Sequence, residues 1–132
     1  MPHHTPADNT MPVALITGAG SQTGIGMACA RHLGATHRLL ITSTSDRIHL
    51  RAQELNSIGI STKSATADLT DPDQANGLVA HAIDLFGRLD VLVNNAGMAA
   101  VGEASENSPV AGTTDAQWRR SIARNLDTTM LL

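Results

Sequence analysis

A glycine-rich turn follows the first apolar run of the chain, and its composition predicts a site for phosphate groups. After the apolar residues 13–16, residues 17–26 read Thr-Gly-Ala-Gly-Ser-Gln-Thr-Gly-Ile-Gly. Glycines permit a sharp turn that a Cβ would resist, and they let the backbone approach a pyrophosphate closely. A helix that opens at Gly24 would point its unpaired N–H groups and positive dipole end at the phosphates. The turn therefore predicts dinucleotide contacts, against the alternative of a tight turn that binds nothing, at Gly18, Ser21, Gly24, Ile25 and Gly26.

A second candidate segment follows the apolar residues 91–93. Val-Leu-Val is typical of a short parallel strand buried on both faces, and Asn94-Asn95-Ala96-Gly97 marks its carboxyl end. Ligands of open α/β sheets lie at such ends because the strand ends and the following loops line a crevice. We predict that Asn95 and Gly97 contact the cofactor. The alternative is a buried strand that happens to end in two asparagines.

Three apolar runs, and a segment of small residues at 61–69 that lies between two helical patterns, predict the elements that would position these residues. Strands are expected at residues 13–16, 38–42, 61–69 and 89–94. Helices are expected at residues 24–33, 47–57, 72–86 and from 114 onwards. A chain that alternates strand and helix in this way is typical of an α/β protein with a parallel sheet, here in the expected order 3-2-1-4.

Helical spacing and end signals predict how these helices begin and which faces they bury. The first helix is expected to bury Ile25, Ala28, Cys29, His32 and Leu33, and the second Ile48, Ala52 and Leu55. In the third, Asp71 is the expected cap, Pro72 the first residue and Gln74 the partner in a capping box. Thr114 and Gln117 repeat the pattern in the last helix. Its predicted stripe is Trp118, Ile122, Asn125, Leu126 and Thr129.

Residues 90–97, Asp-Val-Leu-Val-Asn-Asn-Ala-Gly, resemble the internal signature of the short-chain dehydrogenase/reductase family, Asp-x-Leu-Val-Asn-Asn-Ala-Gly. The resemblance covers residues 11–132, but only the amino-terminal half of a family member. It implies an NAD(P)-binding, Rossmann-like doubly wound parallel sheet, truncated to about four strands. Within the family, the chain most resembles the 3-oxoacyl-carrier-protein reductases. One departure concerns the turn, because the family usually has three residues where this chain has five between Gly18 and Gly24.

The resemblance implies roles for three further residues. Asp68 and Leu69 are similar to the family's acid-plus-aliphatic pair beside the adenine ring, where the acid accepts from the exocyclic amine and the leucine contacts the ring. Asn125 is similar to the asparagine of the family's catalytic tetrad, which holds a water in a proton relay. On an apolar stripe Asn125 needs partners, because an unpaired buried amide costs about 1–3 kcal/mol. The alternatives are a surface aspartate and an asparagine bonded to a neighbouring carbonyl.

The end of the second strand distinguishes NADP from NAD. An acid there binds the ribose 2′-OH of NAD, whereas hydroxyl and cationic groups suit the 2′-phosphate of NADP. Asp46 lies roughly twenty residues beyond the glycine turn, which favours NAD, but an aspartate just before a helix is most often its N-cap. Ser43, Thr44 and Arg47 offer donors instead. We predict NADP as the cofactor and Thr44 as a contact, with NAD as the alternative.

The residues that the resemblance implies for hydride transfer are missing from the sequence as given. The family uses a serine to polarise the carbonyl, a tyrosine as proton donor and a lysine that lowers the tyrosine pKa. The sequence has no tyrosine, and its only lysine, Lys63, falls in the expected third strand. We expect this chain alone to be inactive, although an intact relative would transfer a hydride between NADP(H) and a carbonyl or alcohol. The alternatives are a non-catalytic nucleotide-binding or pairing module and a non-functional truncated reading frame.

Composition narrows the remaining classes of function. The 132 residues predict one domain at residues 11–132 behind a disordered leader at residues 1–10. A net charge of −3 without a basic block does not favour nucleic acid, and no apolar run is long enough for a membrane span. A cytoplasmic location is therefore expected. We expect Cys29 to be a buried thiol and no metal site.

Two surfaces are expected to support self-association. The strand at residues 89–94 would form an uncovered, apolar edge of a four-stranded sheet, and such edges pair with other chains. The last helix is the second candidate. The long connection at residues 98–113 is expected to be a solvated loop.

Overall fold

The computed structural model describes residues 10–97 and 109–132. The strands are β1 (Val13–Ile16), β2 (Arg38–Ser43), β3 (Thr62–Thr66) and β4 (Val91–Val93). The helices are α1 (Ile25–Leu33), α2 (Arg47–Ser57), α3 (Pro72–Phe86), α4 (Asp115–Ile122) and α5 (Thr128–Met130), with a 3-10 turn at Val110–Gly112 and a π-helical turn at Ala123–Asp127. Residues 1–9 of the predicted leader and residues 98–108 of the predicted loop at 98–113 lie outside the described residues.

The described strands form one parallel sheet in the order β3-β2-β1-β4. β1 is an inner strand, and its Ala14 pairs with Leu39 of β2 on one side and with Val91 of β4 on the other. A parallel pair requires a crossover between its strands, which the helices provide. The predicted α/β class and strand order are confirmed.

Side chains alternate along β1 and supply a core on each face of the sheet. Ala14 and Ile16 belong to the core beneath α1 and α2, whereas Leu15 belongs to the core beneath α3. All of β1 is fully buried, as expected for a parallel strand covered on both faces. The predicted inner face of α2 is confirmed, since it buries Ile48, Ala52 and Leu55.

β4 is half-buried, so the prediction of burial on both faces is wrong. It pairs with β1 and is the outermost strand on that side of the described sheet. An edge strand has a neighbour on one side only, and the same apolar pattern therefore leaves part of its surface in solvent. The prediction of an uncovered edge at β4 is confirmed for the described residues.

α1 begins at Ile25, with Gly24 as its N-cap, and it turns a different face inward from the one predicted. The buried residues are Gly26, Met27 and Ala30. Ile25 is 73% exposed, and Cys29 is half-buried rather than buried. The glycine turn sets this rotation, because Gly26 packs against Gly18 and a Cβ on it would lie 2.7 Å from the Gly18 carbonyl oxygen.

α3 begins as predicted, except for its capping box. The Asp71 side chain accepts from the Asp73 N–H at 2.9 Å, and Pro72 is the first helical residue. Gln74 does not complete the box. Its side-chain oxygen accepts from the Asp68 N–H at 2.8 Å, while its amide donates to Asp71 Oδ2 at 3.0 Å. The chain between β3 and α3 folds back close enough for Asp68 to take the bond that the box would use.

The segment from residue 109 onwards is largely exposed. The predicted capping box of Thr114 and Gln117 is present at the start of α4. The predicted inward stripe is wrong, because Trp118 is 62% and Leu126 is 58% exposed. Thr128 is the buried residue of this segment, so the helix approaches the core only near its end.

Within the described residues, neither the helices nor the clusters of ionisable side chains indicate a membrane span or a metal site. None of the helices there is both long enough and apolar enough to cross a membrane. No group of three or more histidine, cysteine, aspartate or glutamate side chains within that part of the chain is placed to hold a metal ion.

Candidate functional site

The glycine turn and the end of β4 are joined by the side chains of Thr17 and Asn95. The Thr17 hydroxyl accepts from the N–H groups of Asn95 at 3.1 Å and Ala96 at 2.8 Å, and it donates to the Val93 carbonyl at 3.3 Å. The Asn95 amide donates to the carbonyls of Thr17 and Gly18, each at 3.1 Å. The two predicted segments therefore meet at the rim formed by the carboxyl ends of the strands, where β1 and β4 end side by side.

Thr17 was not among the predicted site residues. It is 1% exposed, and its hydroxyl has bonds to three backbone groups. The sequence did contain a signal for this role, since Thr17 directly follows a continuous apolar strand. A hydroxyl buried at such a position must find hydrogen-bond partners. The buried hydroxyl of Thr17 therefore links the end of β1 to the end of β4. Asn95 likewise uses its amide to hold the turn, and its contact with the cofactor stays a prediction.

Gly18 and Gly26 pack the turn against the end of β4. Gly18 has a φ of +69°, and a Cβ there would lie 2.8 Å from Ala96 Cα. A Cβ on Gly26 would lie 2.9 Å from the Asn95 amide nitrogen. Side chains cannot be accommodated at such distances, so both glycines are required by the protein's own packing. The sequence predicted that these glycines let the backbone approach a pyrophosphate. At Gly18 and Gly26 the absence of a side chain instead lets two segments of the chain pack closely against each other.

The outer part of the turn lies between Gly20 and Gly24. Ala19 is buried and its N–H donates to the Thr42 carbonyl at 3.0 Å, which carries the chain towards the end of β2. Ser21 is exposed, as are the two residues that follow it. None of the described side chains caps α1, and its first turn has no acidic residue. An anion such as pyrophosphate therefore fits the unpaired N–H groups and the positive dipole end of α1.

The end of β2 carries hydroxyl groups, a cation and an acid. The Ser43 hydroxyl donates to the Ser45 carbonyl at 3.0 Å, and Arg47 Nε donates to Ser45 Oγ at 3.3 Å. Thr44 is exposed at the same rim. Asp46 occupies the predicted N-cap position of α2 without making a side-chain capping bond. Its φ of −61° and ψ of −13° are helical, and a capping side chain needs extended backbone.

Asp68 and Leu69 follow β3 in two different environments. Asp68 is exposed, and its Oδ1 accepts from the Thr70 N–H at 3.0 Å and the Thr70 hydroxyl at 2.6 Å. Leu69 is 5% exposed and packs in the core beneath α3. Asp68 therefore lies at the rim where an adenine amine was expected. The burial of Leu69 leaves little of its side chain for the predicted ring contact.

Gly97 and Asn125 bring the last helix to the same rim. A Cβ on Gly97 would lie 2.6 Å from Asn125 Oδ1. Asn125 is exposed rather than buried as predicted, and its Nδ2 donates to the Ser121 carbonyl at 3.0 Å, which is the alternative that the sequence left open. The backbone around it is π-helical over Ala123–Asp127. Such turns are frequent at functional sites, and this one presents Asn125 next to the end of β4.

Asp90 forms bonds at the other end of the strands, where β1 and β4 begin. Its carboxylate accepts from Arg88 Nε at 2.8 Å, from Arg88 Nη2 at 2.7 Å and from the Val13 N–H at 2.8 Å. The bond with Arg88, and after it the bond from Val13, hold the pKa of Asp90 below its usual value. The same pair raises the pKa of Arg88. Since Val13 opens β1 and Asp90 precedes β4, this ion pair supports the strand pairing.

A family model described as short chain dehydrogenase matches residues 12–132. A Streptomyces violaceoruber protein named for a ketoacyl reductase of the granaticin polyketide synthase is 35% identical over 130 residues, which make up 97% of this chain and 45% of that protein. The chain thus spans a little under half the length of the curated relatives it matches.

Two solved structures are similar in fold. A metagenomic short-chain oxidoreductase in complex with NADP has a TM-score of 0.79 and 33% identity, over 92% of this chain and 52% of that one. A 3-ketoacyl-ACP reductase from Sinorhizobium meliloti has a TM-score of 0.79 and 34% identity, over 91% of this chain and 45% of that one. At these identities the similarity extends beyond the fold to the sequence itself.

Proposed function

The chain belongs to the short-chain dehydrogenase family, and from that premise we propose that it is the dinucleotide-binding half of an NADP-dependent oxidoreductase. One observation carries the proposal. The bonds of Asn95 to Thr17 and Gly18 bring the glycine turn and the end of β4 to a single rim, beside the uncapped start of α1. Relatives solved with NADP support the choice of cofactor.

Each proposed contact matches a part of the cofactor by its chemistry. The start of α1 from Gly24 to Gly26, with Ser21, binds the pyrophosphate through N–H groups and a hydroxyl. Thr44 binds the 2′-phosphate with the help of Arg47, since hydroxyl and guanidinium groups are good phosphate donors. Asp68 accepts from the adenine amine. Gly97 and Asn95 adjoin the nicotinamide ribose.

NADPH supplies a hydride when it is bound, and a chain of the relatives' length would direct it to a carbonyl carbon. In such a protein Asn125 holds a water for proton transfer beside the end of β4. The ketoacyl reductases among the relatives support a carbonyl of that class as substrate. This chain by itself has no tyrosine to donate the proton. We expect the purified chain to oxidise no NADPH with a carbonyl substrate, and turnover that survives rigorous purification would contradict this.

Titration with NADPH, followed by its fluorescence, tests the binding itself. We expect saturable binding that is tighter for NADPH than for NADH. The Ile25→Glu variant should abolish it, because the new carboxylate lies beside the pyrophosphate position. Folding should not suffer, since Ile25 is 73% exposed and an acid is favourable at a helix N-terminus.

Ile58→Glu is the matched control for this titration. Ile58 is also an exposed isoleucine, at 63%, but it lies at the C-terminal end of α2. The control should therefore bind NADPH as the unmodified chain does. Absence of any fluorescence change at millimolar cofactor, or equal loss in both variants, would overturn the proposed function.

A second candidate is a pairing module that binds another polypeptide. The half-buried edge strand β4 and the exposed Trp118 and Leu126 favour it, because together they leave apolar surface uncovered in the described residues. It requires no catalysis by this chain and is compatible with cofactor binding.

A further inference from the structure

The widened part of the glycine turn places Gln22 between a cation on α1 and an anion on α2. Arg31 Nη1 donates to the backbone carbonyl of Gln22 at 3.5 Å, a bond that does not involve the Gln22 side chain. The Gln22 side-chain amide in turn donates to Glu54 Oε1 at 3.5 Å. The acceptor of Gln22 thus meets the positive group and its donor meets the negative group, which is the favourable arrangement for both bonds.

Glu54 also forms an ion pair on its own helix, independently of Gln22. Arg51 Nη2 lies 2.7 Å from the same Glu54 oxygen, one helical turn away on α2. The Arg51 side chain is 15% and the Glu54 side chain 36% exposed, so the pair is partly shielded from water. A carboxylate already oriented by an ion pair is a preformed acceptor, and Gln22 binds to it without the cost of ordering it.

A groove lies beneath Gln22, between α1 and α2. Its volume is about 240 Å³, and Gln22, Arg31 and Glu54 line it together with the apolar side chains of Met27 and Leu55. The groove offers room into which a widened turn could move.

We propose that Gln22 is a positioning residue whose side chain latches the widened turn to α2, while its backbone carbonyl accepts from Arg31 of α1. The latch compensates for the two residues by which the turn exceeds the family pattern, and it keeps residues 20–24 over the start of α1. This inference rests on the proposed cofactor binding, which it deepens. Since the pyrophosphate is common to NADP and NAD, the latch supports the binding of both to the same degree.

Hydrogen exchange on the free chain tests the latch without any cofactor. Gln22→Ala removes the bond to Glu54, and we expect the amides of residues 20–24 to exchange about twofold to fivefold faster, as for the loss of one exposed hydrogen bond. Gln53→Ala is the matched control, the same truncation at an exposed position of α2. Unchanged exchange after Gln22→Ala, or the same acceleration in the control, would overturn the proposal.

A charge exchange sharpens the test. Gln22→Glu places two carboxylates together, so the amide hydrogens of residues 20–24 should exchange faster than in Gln22→Ala. Adding Glu54→Gln to that variant restores a donor opposite an acceptor, with the roles reversed, and should bring the exchange rates back towards those of the unmodified chain. Failure of this rescue would show that Gln22 and Glu54 do not act through each other.

Cofactor titration separates a positioning role from direct contact. Gln22→Ala should weaken NADPH and NADH by the same factor, about twofold to fivefold. Weakening of NADPH alone would mean direct contact with the 2′-phosphate and would overturn the positioning role. If the unmodified chain binds neither cofactor while the exchange rates respond as expected, the proposed function fails and the latch stands.

Discussion

A buried hydroxyl and a half-buried amide connect β1 with β4 at the rim of the proposed cofactor site. Thr17 and Asn95 direct all the bonds described above to backbone groups. Backbone groups cannot turn to other partners when a side chain is lost, so its removal leaves donors or acceptors unpaired close to the core. Single substitutions at these two positions should therefore disturb folding and binding together.

Asn95→Ala should destabilise the chain by about 1–3 kcal/mol, the cost of leaving the Thr17 and Gly18 carbonyls unpaired. Urea unfolding followed by circular dichroism measures the change. Asn94→Ala is the control, because Asn94 is the exposed neighbour of the same residue type. Equal stability of the two variants would contradict the role given to Asn95.

Gly18→Ala should be more damaging than Gly87→Ala, although both residues have positive φ, at +69° and +75°. At Gly87 a Cβ meets nothing within 4 Å, so only the left-handed backbone is penalised, at about 1–2 kcal/mol. At Gly18 the contact with Ala96 adds overpacking, for a total of about 2–5 kcal/mol. Unfolding midpoints measure both costs, and equal midpoints would argue against the tight packing of the turn.

At the level of the elements, the helices differ in whether a side chain caps their N-terminus. α3 and α4 are capped by the side chains of Asp71 and Thr114. α1 and α2 share one face of the sheet, and their N-cap residues, Gly24 and Asp46, make no side-chain capping bond. An uncapped start gives up about 1 kcal/mol of helix stability. At α1 it leaves N–H groups available to an anion where the pyrophosphate is proposed, whereas at α2 the N–H groups of Ile48 and His49 already bond the carbonyls of Ser45 and Asp46.

The ion pair before β4 makes stability depend on pH. Bonds from Arg88 and Val13 lower the pKa of Asp90 in the folded chain, so its contribution is present above the ordinary aspartate pKa and is lost as the pH falls through the folded value. We expect the free energy of unfolding to decrease below about pH 4. Urea unfolding at a series of acidic pH values should show a smaller decrease for Asp90→Asn.

The control for this pH series is Asp84→Asn, at an exposed position of α3. It should keep the full decrease of the unmodified chain. Asp71 retains its own share in every variant, because the side chain of Gln74 lowers its pKa as well. An identical decrease in Asp90→Asn and in the unmodified chain would exclude Asp90 as a source of acid sensitivity.

At the scale of the whole molecule, the described sheet has two different edges. β3 ends one side with an exposed lysine, Lys63, whereas β4 ends the other with Val-Leu-Val. A charged side chain discourages pairing at an edge, whereas the apolar side chains of β4 carry no such charge. Association with another polypeptide is therefore expected at β4.

Sedimentation velocity over a range of concentrations tests this association. We expect the unmodified chain to self-associate, and Leu92→Lys to suppress it by placing a charge on the β4 edge. Trp118→Ala tests the last helix, the other candidate surface. Leu85→Lys, at an apolar position of α3 that is 41% exposed, controls for added charge. A clean monomer at high concentration would contradict both surfaces.

The sequence predicted the features that depend on neighbours along the chain. The cap at Asp71, the capping box at Thr114 and the inner face of α2 follow from spacings of a few residues. Alternation of strands and helices determined a parallel sheet, and a parallel sheet collects the residues that follow its strands at one edge. That geometry was sufficient to predict that the glycine turn and Asn95 would meet.

Only the tertiary structure decided the features that depend on which distant backbone comes close. The rotation of α1 follows from the contact of Gly26 with Gly18, and the burial of Leu69 from the packing of α3. The partial exposure of β4 follows from its having a neighbouring strand on one side only in the described sheet, and the hydroxyl of Thr17 acquires its role from the end of another strand. Periodicity along a chain records the pattern of side chains within one element, whereas these contacts depend on distances of a few ångströms between separate elements.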